Sequence, residues 1–173
     1  MVLAAGVVIY GAMGGAALLW LWFRDRLDVL GERSVGEHGV LAGSALGLGV
    51  GVAGAFVVDR ISRRFRSFEE LTSTAQRLFA RSGEGVGIAF ALISAVAEEL
   101  FFRLAVQDVF GLVGSVAAYV LLNSSVGGLR WIAFTVAHAL VLGLIVQSGF
   151  GLLGSTTAHA ILNHLCLRRI QDS

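Results

Sequence analysis

The sequence predicts an all-α fold: a polytopic membrane helical bundle of about six transmembrane helices, plus an amphipathic helix lying in the interface. Three observations predict it. Of the 173 residues, 56% are hydrophobic and only 14% charged, whereas a soluble domain is about 45–50% apolar and about 25% charged. Mean hydropathy is +0.80. The apolar residues also run in stretches of about 20, the length that crosses a hydrocarbon core.

On that ruler the helices fall near 2–23, 39–58, 85–109, 112–127, 129–147 and 150–168. The first is read as a retained helix, because it lacks the positively charged start of a secretory signal and is long enough to span. In the second, Gly43, Gly47 and Gly51 recur every four residues and form a face that another helix can approach closely. The fourth, VGSVAAYVLLNSSVG, is short and ends in polar and glycine residues. No proline interrupts any of them. The whole chain, 1–173, reads as one membrane domain, with two N-terminal helices in 1–58 and a core in 85–168.

Residues 59–82 form the one long polar stretch. Ser67 and Glu70 make a possible capping box, and Phe68, Leu71, Leu78 and Phe79 share a face opposite charged residues. Such a segment lies in the membrane interface. All 13 basic residues are arginine. Arg60, Arg63, Arg64, Arg66, Arg77, Arg81, Arg130, Arg168 and Arg169 fall on one side of a six-span topology, and Arg24, Arg26 and Arg33 on the other. The positive-inside rule then puts both termini and the 59–82 segment in the cytoplasm.

Other classes are disfavoured. A net charge of +1 with no basic stripe gives no footprint for nucleic acid. The single cysteine, Cys166, leaves no internal disulfide and no Cys/His zinc pattern, and it reads as a small apolar filler. Asp108 and Asn123 read as capping or water-facing residues.

Charges inside the third expected helix require a reason, because an ionised side chain at mid-membrane costs roughly 2.5–3.5 kcal/mol on insertion scales. AVAEELFFRLAV, residues 95–106, carries Glu98, Glu99 and Arg103. Glu99 and Arg103 stand at i and i+4, acid first, the favourable order for an intrahelical ion pair. Glu98 is turned about 100° away and is free to face a reactant. Phe134 and His138 repeat the i, i+4 spacing on the fifth helix, and His159 and Asn163 on the sixth. Glu98, His138 and His159 all fall near the middle of their helices, so three helices place them in one layer.

A carboxylate and a neutral imidazole can hold a water and take its proton. A second imidazole and an amide can donate to the oxygen that becomes negative, as an oxyanion hole does. Together they suit peptide hydrolysis by glutamate-activated water, with Glu98, His138, His159 and Asn163 catalytic. No metal is required in that scheme. A zinc alternative would use Glu98, His138 and His159 as ligands.

These residues resemble a known set of motifs. EELFFR (Glu98–Arg103), Phe134-xxx-His138 and His159-xxx-Asn163 match, in order, the EExxxR, FxxxH and HxxxN signatures of the CAAX-processing and bacteriocin-processing (CPBP, or Abi) family, which includes the type II CAAX prenyl endopeptidases. The resemblance covers roughly 85–168. It implies an all-helical intramembrane protease in which Glu98 and His138 activate water, His159 and Asn163 stabilise the oxyanion, and Glu99 and Arg103 hold the first motif in shape. It also implies a glutamate-type rather than a metalloprotease mechanism. The implied partner is a membrane-associated protein or peptide, cut during maturation, CAAX-like processing or removal of a C-terminal sorting signal. Two alternatives from other classes are a non-catalytic bacteriocin-immunity or scaffold protein on the same fold, and a small carrier relaying ions or protons through Glu98 and His138. The oligomeric state is open.

Overall fold

A computed structural model describes residues 2–64, 79, 82–123 and 128–171. All of its regular elements are helical: α1 (Val2–Phe23), α2 (Asp28–Ser34), α3 (Gly39–Ser62), α4 (Glu84–Glu99), a π-helical segment π1 (Leu100–Val106), α5 (Gln107–Asn123), α6 (Gly128–Ile145), a second π segment π2 (Val146–Phe150) and α7 (Gly151–Gln171). Apolar side chains dominate the surface, among them Leu41 at 86%, Leu129 at 82% and Val113 at 80% exposed. The largest fully buried side chain, by contrast, is Arg103. A molecule with leucine outside and arginine inside is built for lipid.

Four helical stretches are long and apolar enough to cross a membrane: Leu3–Phe23, Gly39–Ser62, Glu84–Asn123 and Gly128–Arg169. The last two fold back on themselves. Phe102 and Tyr119 would be about 26 Å apart along a straight helix, yet their rings lie 4.8 Å apart. The chain turns at Gly111, whose φ of 66° is open to glycine. His138 and His159 meet in the same way, at 4.9 Å, because Gly149 and Gly151 turn the chain at φ 79° and 72°.

The expected six spans therefore become five long arms. Beyond Gly111 the described helix runs only to Asn123, about 18 Å at 1.5 Å per residue, well short of a ~30 Å hydrocarbon core. Residues 123–128 are polar or glycine except for Val126, and they supply too little apolar length to continue it.

The second expected helix is longer than read, ending at Ser62 rather than 58. Of the expected interfacial helix, 65–78 and 80–81 lie outside the described residues. Phe79 is buried, with its ring 5.0 Å from that of Phe90.

Gly43, Gly47 and Gly51 line the contact of α3 with α7. A Cβ at Gly43 would stand 2.6 Å from the carbonyl oxygen of Phe150, one at Gly51 2.7 Å from that of Ala158, and one at Gly47 would run into that of Gly154. Gly49, on another face, has nothing within 4 Å. Gly47→Val is accordingly expected to lower the midpoint of thermal unfolding in detergent, with an overpacking cost of about 1–3 kcal/mol. Gly49→Val should change it by less than a third as much.

Asp108 departs from its expected capping role. Its side chain is 5% exposed and receives Arg24 at 2.9 Å, Arg33 at 3.2 Å and Arg26 at 3.4 Å. These three are the arginines of the minority side in the charge count. They tie the α1–α2 corner to the start of α5.

Candidate active site

Glu98 and Glu99 close α4 where the backbone widens into π1, a departure from α geometry that recurs at functional sites. The two carboxylates go to different surroundings. Glu99 is 0% exposed. Its Oε1 accepts from the Nδ1 of His159 at 3.0 Å, and its Oε2 stands 3.5 Å from Arg103 Nε. That second contact is close enough for charge attraction but is not aligned as a hydrogen bond.

Arg103, also 0% exposed, is held from α5. Its Nη1 donates to Ser115 Oγ at 2.8 Å, Ser115 Oγ in turn donates to the Phe102 carbonyl at 2.7 Å, and the guanidinium lies 5.4 Å from the Tyr119 ring centre. Glu99, Arg103 and His159 thus form one buried set, in which the acid serves the cation and the imidazole together.

Glu98 faces the other way, into a cavity of about 360 Å³. Its Oε2 has no hydrogen-bond partner in the protein and lies 3.9 Å from the Nε2 of His159. With Nδ1 committed to Glu99, Nε2 is the His159 nitrogen turned to Glu98. On α6, His138 stacks on Phe134, with ring centres 5.8 Å apart and planes within 8°, which explains the FxxxH spacing. Its ring meets the edge of His159 at 81°. Asn163, one turn beyond His159 on α7, donates through Nδ2 to Ser94 Oγ at 3.1 Å, so that α7 is fastened to α4 one turn before Glu98.

Glu98, His138, His159 and Asn163 all line this cavity, as does Phe134, while Glu99 and Arg103 lie behind the wall. Among the described residues no three His, Cys, Asp or Glu side chains are grouped to hold a metal ion. The zinc alternative's Glu98, His138 and His159 share the cavity without forming such a cage.

Sequence inspection passed over Ser94, Ser115 and Tyr119. One signal was present: Ser115, Tyr119 and Asn123 repeat at i, i+4 and i+8 on a segment that is otherwise apolar after Gly111, a polar stripe that must face protein. Asn123 does so, donating to the Tyr119 carbonyl at 3.0 Å and lining the cavity. Ser94 left no comparable trace.

Comparison with family models, with curated proteins and with solved structures returns no match.

Proposed function

We propose that this protein is an intramembrane endopeptidase, with the resemblance to the CPBP family resting on its three motifs. The observation that carries the proposal is the Glu98 carboxylate oxygen Oε2, without a hydrogen-bond partner and buried beside an imidazole in a cavity that three further motif residues also line. An unsatisfied buried carboxylate oxygen is costly, and it is retained where it serves a reaction.

In the proposed reaction, water held by Glu98 and His138 gives a proton to the Glu98 carboxylate as its oxygen attacks the peptide carbonyl. His159 and Asn163 face the oxygen that becomes negative. Collapse of the tetrahedral intermediate breaks the C–N bond, and the proton on Glu98 passes to the leaving amine. Glu99 and Arg103 position His159 and the π1 segment. The scheme needs no cofactor.

The proposed substrate is a membrane-associated protein or peptide. The proposed setting is the bacterial inner membrane, with both termini cytoplasmic by the arginine count. The test compares protein termini in membranes from cells expressing the wild type or Glu98→Gln. New termini are expected with the wild type only, and identical sets would leave a non-catalytic scaffold.

Metal dependence is tested separately. Cleavage by the purified protein is expected to be unchanged by dialysis against a strong chelator. Loss that zinc restores would move water activation to a metal held by Glu98, His138 and His159.

A further inference from the structure

Among the described residues, four that carry a hydroxyl line the catalytic cavity: Tyr10, Ser94, Tyr119 and Thr135. Two of these hydroxyls are spent on the backbone, Ser94 Oγ on the Ala91 carbonyl at 3.2 Å and Thr135 Oγ1 on the Trp131 carbonyl at 2.8 Å. The other two are phenols, and both neighbour the Glu98 side chain. They come from helices that carry none of the three motifs, Tyr10 from α1 and Tyr119 from α5.

Each phenol is delivered by the sequence of its own helix. Gly6, Tyr10 and Gly14 repeat at i, i+4 and i+8 and so share one face of α1. A Cβ at Gly6 would stand 2.9 Å from the Phe90 ring, and one at Gly14 3.9 Å from the Ala97 Cα. This face therefore lies directly on α4, with Tyr10 between the two glycines and its ring edge-on to Phe90 at 5.6 Å. Tyr119 arrives because the chain turns at Gly111. It is 6% exposed, and its ring centre lies 5.9 Å from that of His138 and 6.5 Å from that of His159.

Glu98 has need of such donors. A carboxylate taken out of water keeps its charge where hydrogen-bond donors replace the water it lost, and only the charged form can accept a proton from the attacking water. The other donors nearby are engaged or too far. Arg103 serves Glu99 and Ser115, Asn163 Nδ2 donates to Ser94, and His159 Nε2 stands 3.9 Å from Glu98 Oε2, beyond hydrogen-bond distance. We propose that Tyr10 and Tyr119 are positioning residues of the hydrolysis, their hydroxyls donating to the Glu98 carboxylate from two helices and leaving Oε2 open to the proton of water. The inference rests on the protease reading and adds α1 to the site, a helix outside the motif-bearing stretch 85–168.

Tyr10→Phe and Tyr119→Phe test it, since each keeps the ring and removes one hydroxyl. Each should lower kcat roughly 10–100-fold, the scale of a hydrogen bond to a charged group. KM should change little, because the phenols act on the base and not on substrate binding. Wild-type kcat in either variant, or a loss confined to KM, removes that tyrosine from the role. A second readout needs no proteolysis. The Glu98 carboxyl stretch, taken as the infrared difference between purified wild type and Glu98→Gln, should shift in each phenylalanine variant. A variant in which it does not shift overturns the assignment of its tyrosine. Shifts in both variants of a protein that cuts no peptide would keep the hydroxyl contacts and overturn the protease reading instead. Should Tyr119→Phe fold poorly, Tyr10→Phe decides the proposal alone.

Discussion

Glu98→Gln is expected to abolish peptide-bond cleavage, by roughly 10²–10⁴-fold as general bases contribute, while the protein still inserts and folds. Glutamine keeps the shape of the side chain and loses the basicity. The buried arginine stays held by Glu99 and Ser115, and the amide oxygen can still accept from the Tyr10 and Tyr119 hydroxyls that neighbour the Glu98 side chain. Removing a buried charge relieves its desolvation cost, so thermal unfolding in detergent should occur at the wild-type temperature or above. His138→Ala should share the loss of activity, and it leaves the Glu99–His159 hydrogen bond intact. Cleavage at the wild-type rate by either variant would remove the mechanism. A Glu98→Gln protein that fails to fold would instead make Glu98 part of the framework.

Arg103→Met should act on the other quantity. Methionine fills much of the same volume without the charge, leaving Glu99, at 0% exposure, with His159 as its remaining neighbour of opposite potential. Breaking a buried pair by removing one partner costs about 3–5 kcal/mol, because the surviving charge stays uncompensated. A surface ion pair is worth only about 0–1 kcal/mol. Folded yield and unfolding temperature should therefore both fall in Arg103→Met. The double variant Arg103→Met/Glu99→Gln should recover most of the stability, since no charge is then stranded. It should not recover full activity, because the ionised acceptor that orients His159 is gone. Wild-type stability in the single variant would show that Arg103 does not compensate Glu99.

The parts of this architecture that were legible from residues alone are those set by short-range periodicity. An apolar run of about 20 residues has few places to go but lipid. The i, i+4 spacings of Glu99 with Arg103, Phe134 with His138 and His159 with Asn163 fix which side chains share a helix face. The number of long arms was less legible, because the segment after Gly111 is apolar enough to resemble a span and too short to be one. Asp108 was misread for a similar reason. It lies at the edge of an apolar stretch, where a carboxylate ordinarily meets water, and its three arginines come from residues 24, 26 and 33, more than 70 positions away.

By itself the sequence determined that the chain is helical and apolar on its outside, and that three of its helices carry polar side chains at similar depth. Local spacing and hydropathy suffice for that, since both are properties of one helix at a time. Only the tertiary structure decided that the four motif side chains line one cavity, that Glu99 rather than Glu98 holds His159 at Nδ1, and that Ser115 and Tyr119 of α5 share Arg103. Those are contacts between helices. Their geometry follows from where Gly111, Gly149 and Gly151 turn the chain and from how closely Gly43, Gly47 and Gly51 let α3 approach α7, neither of which a helical repeat encodes.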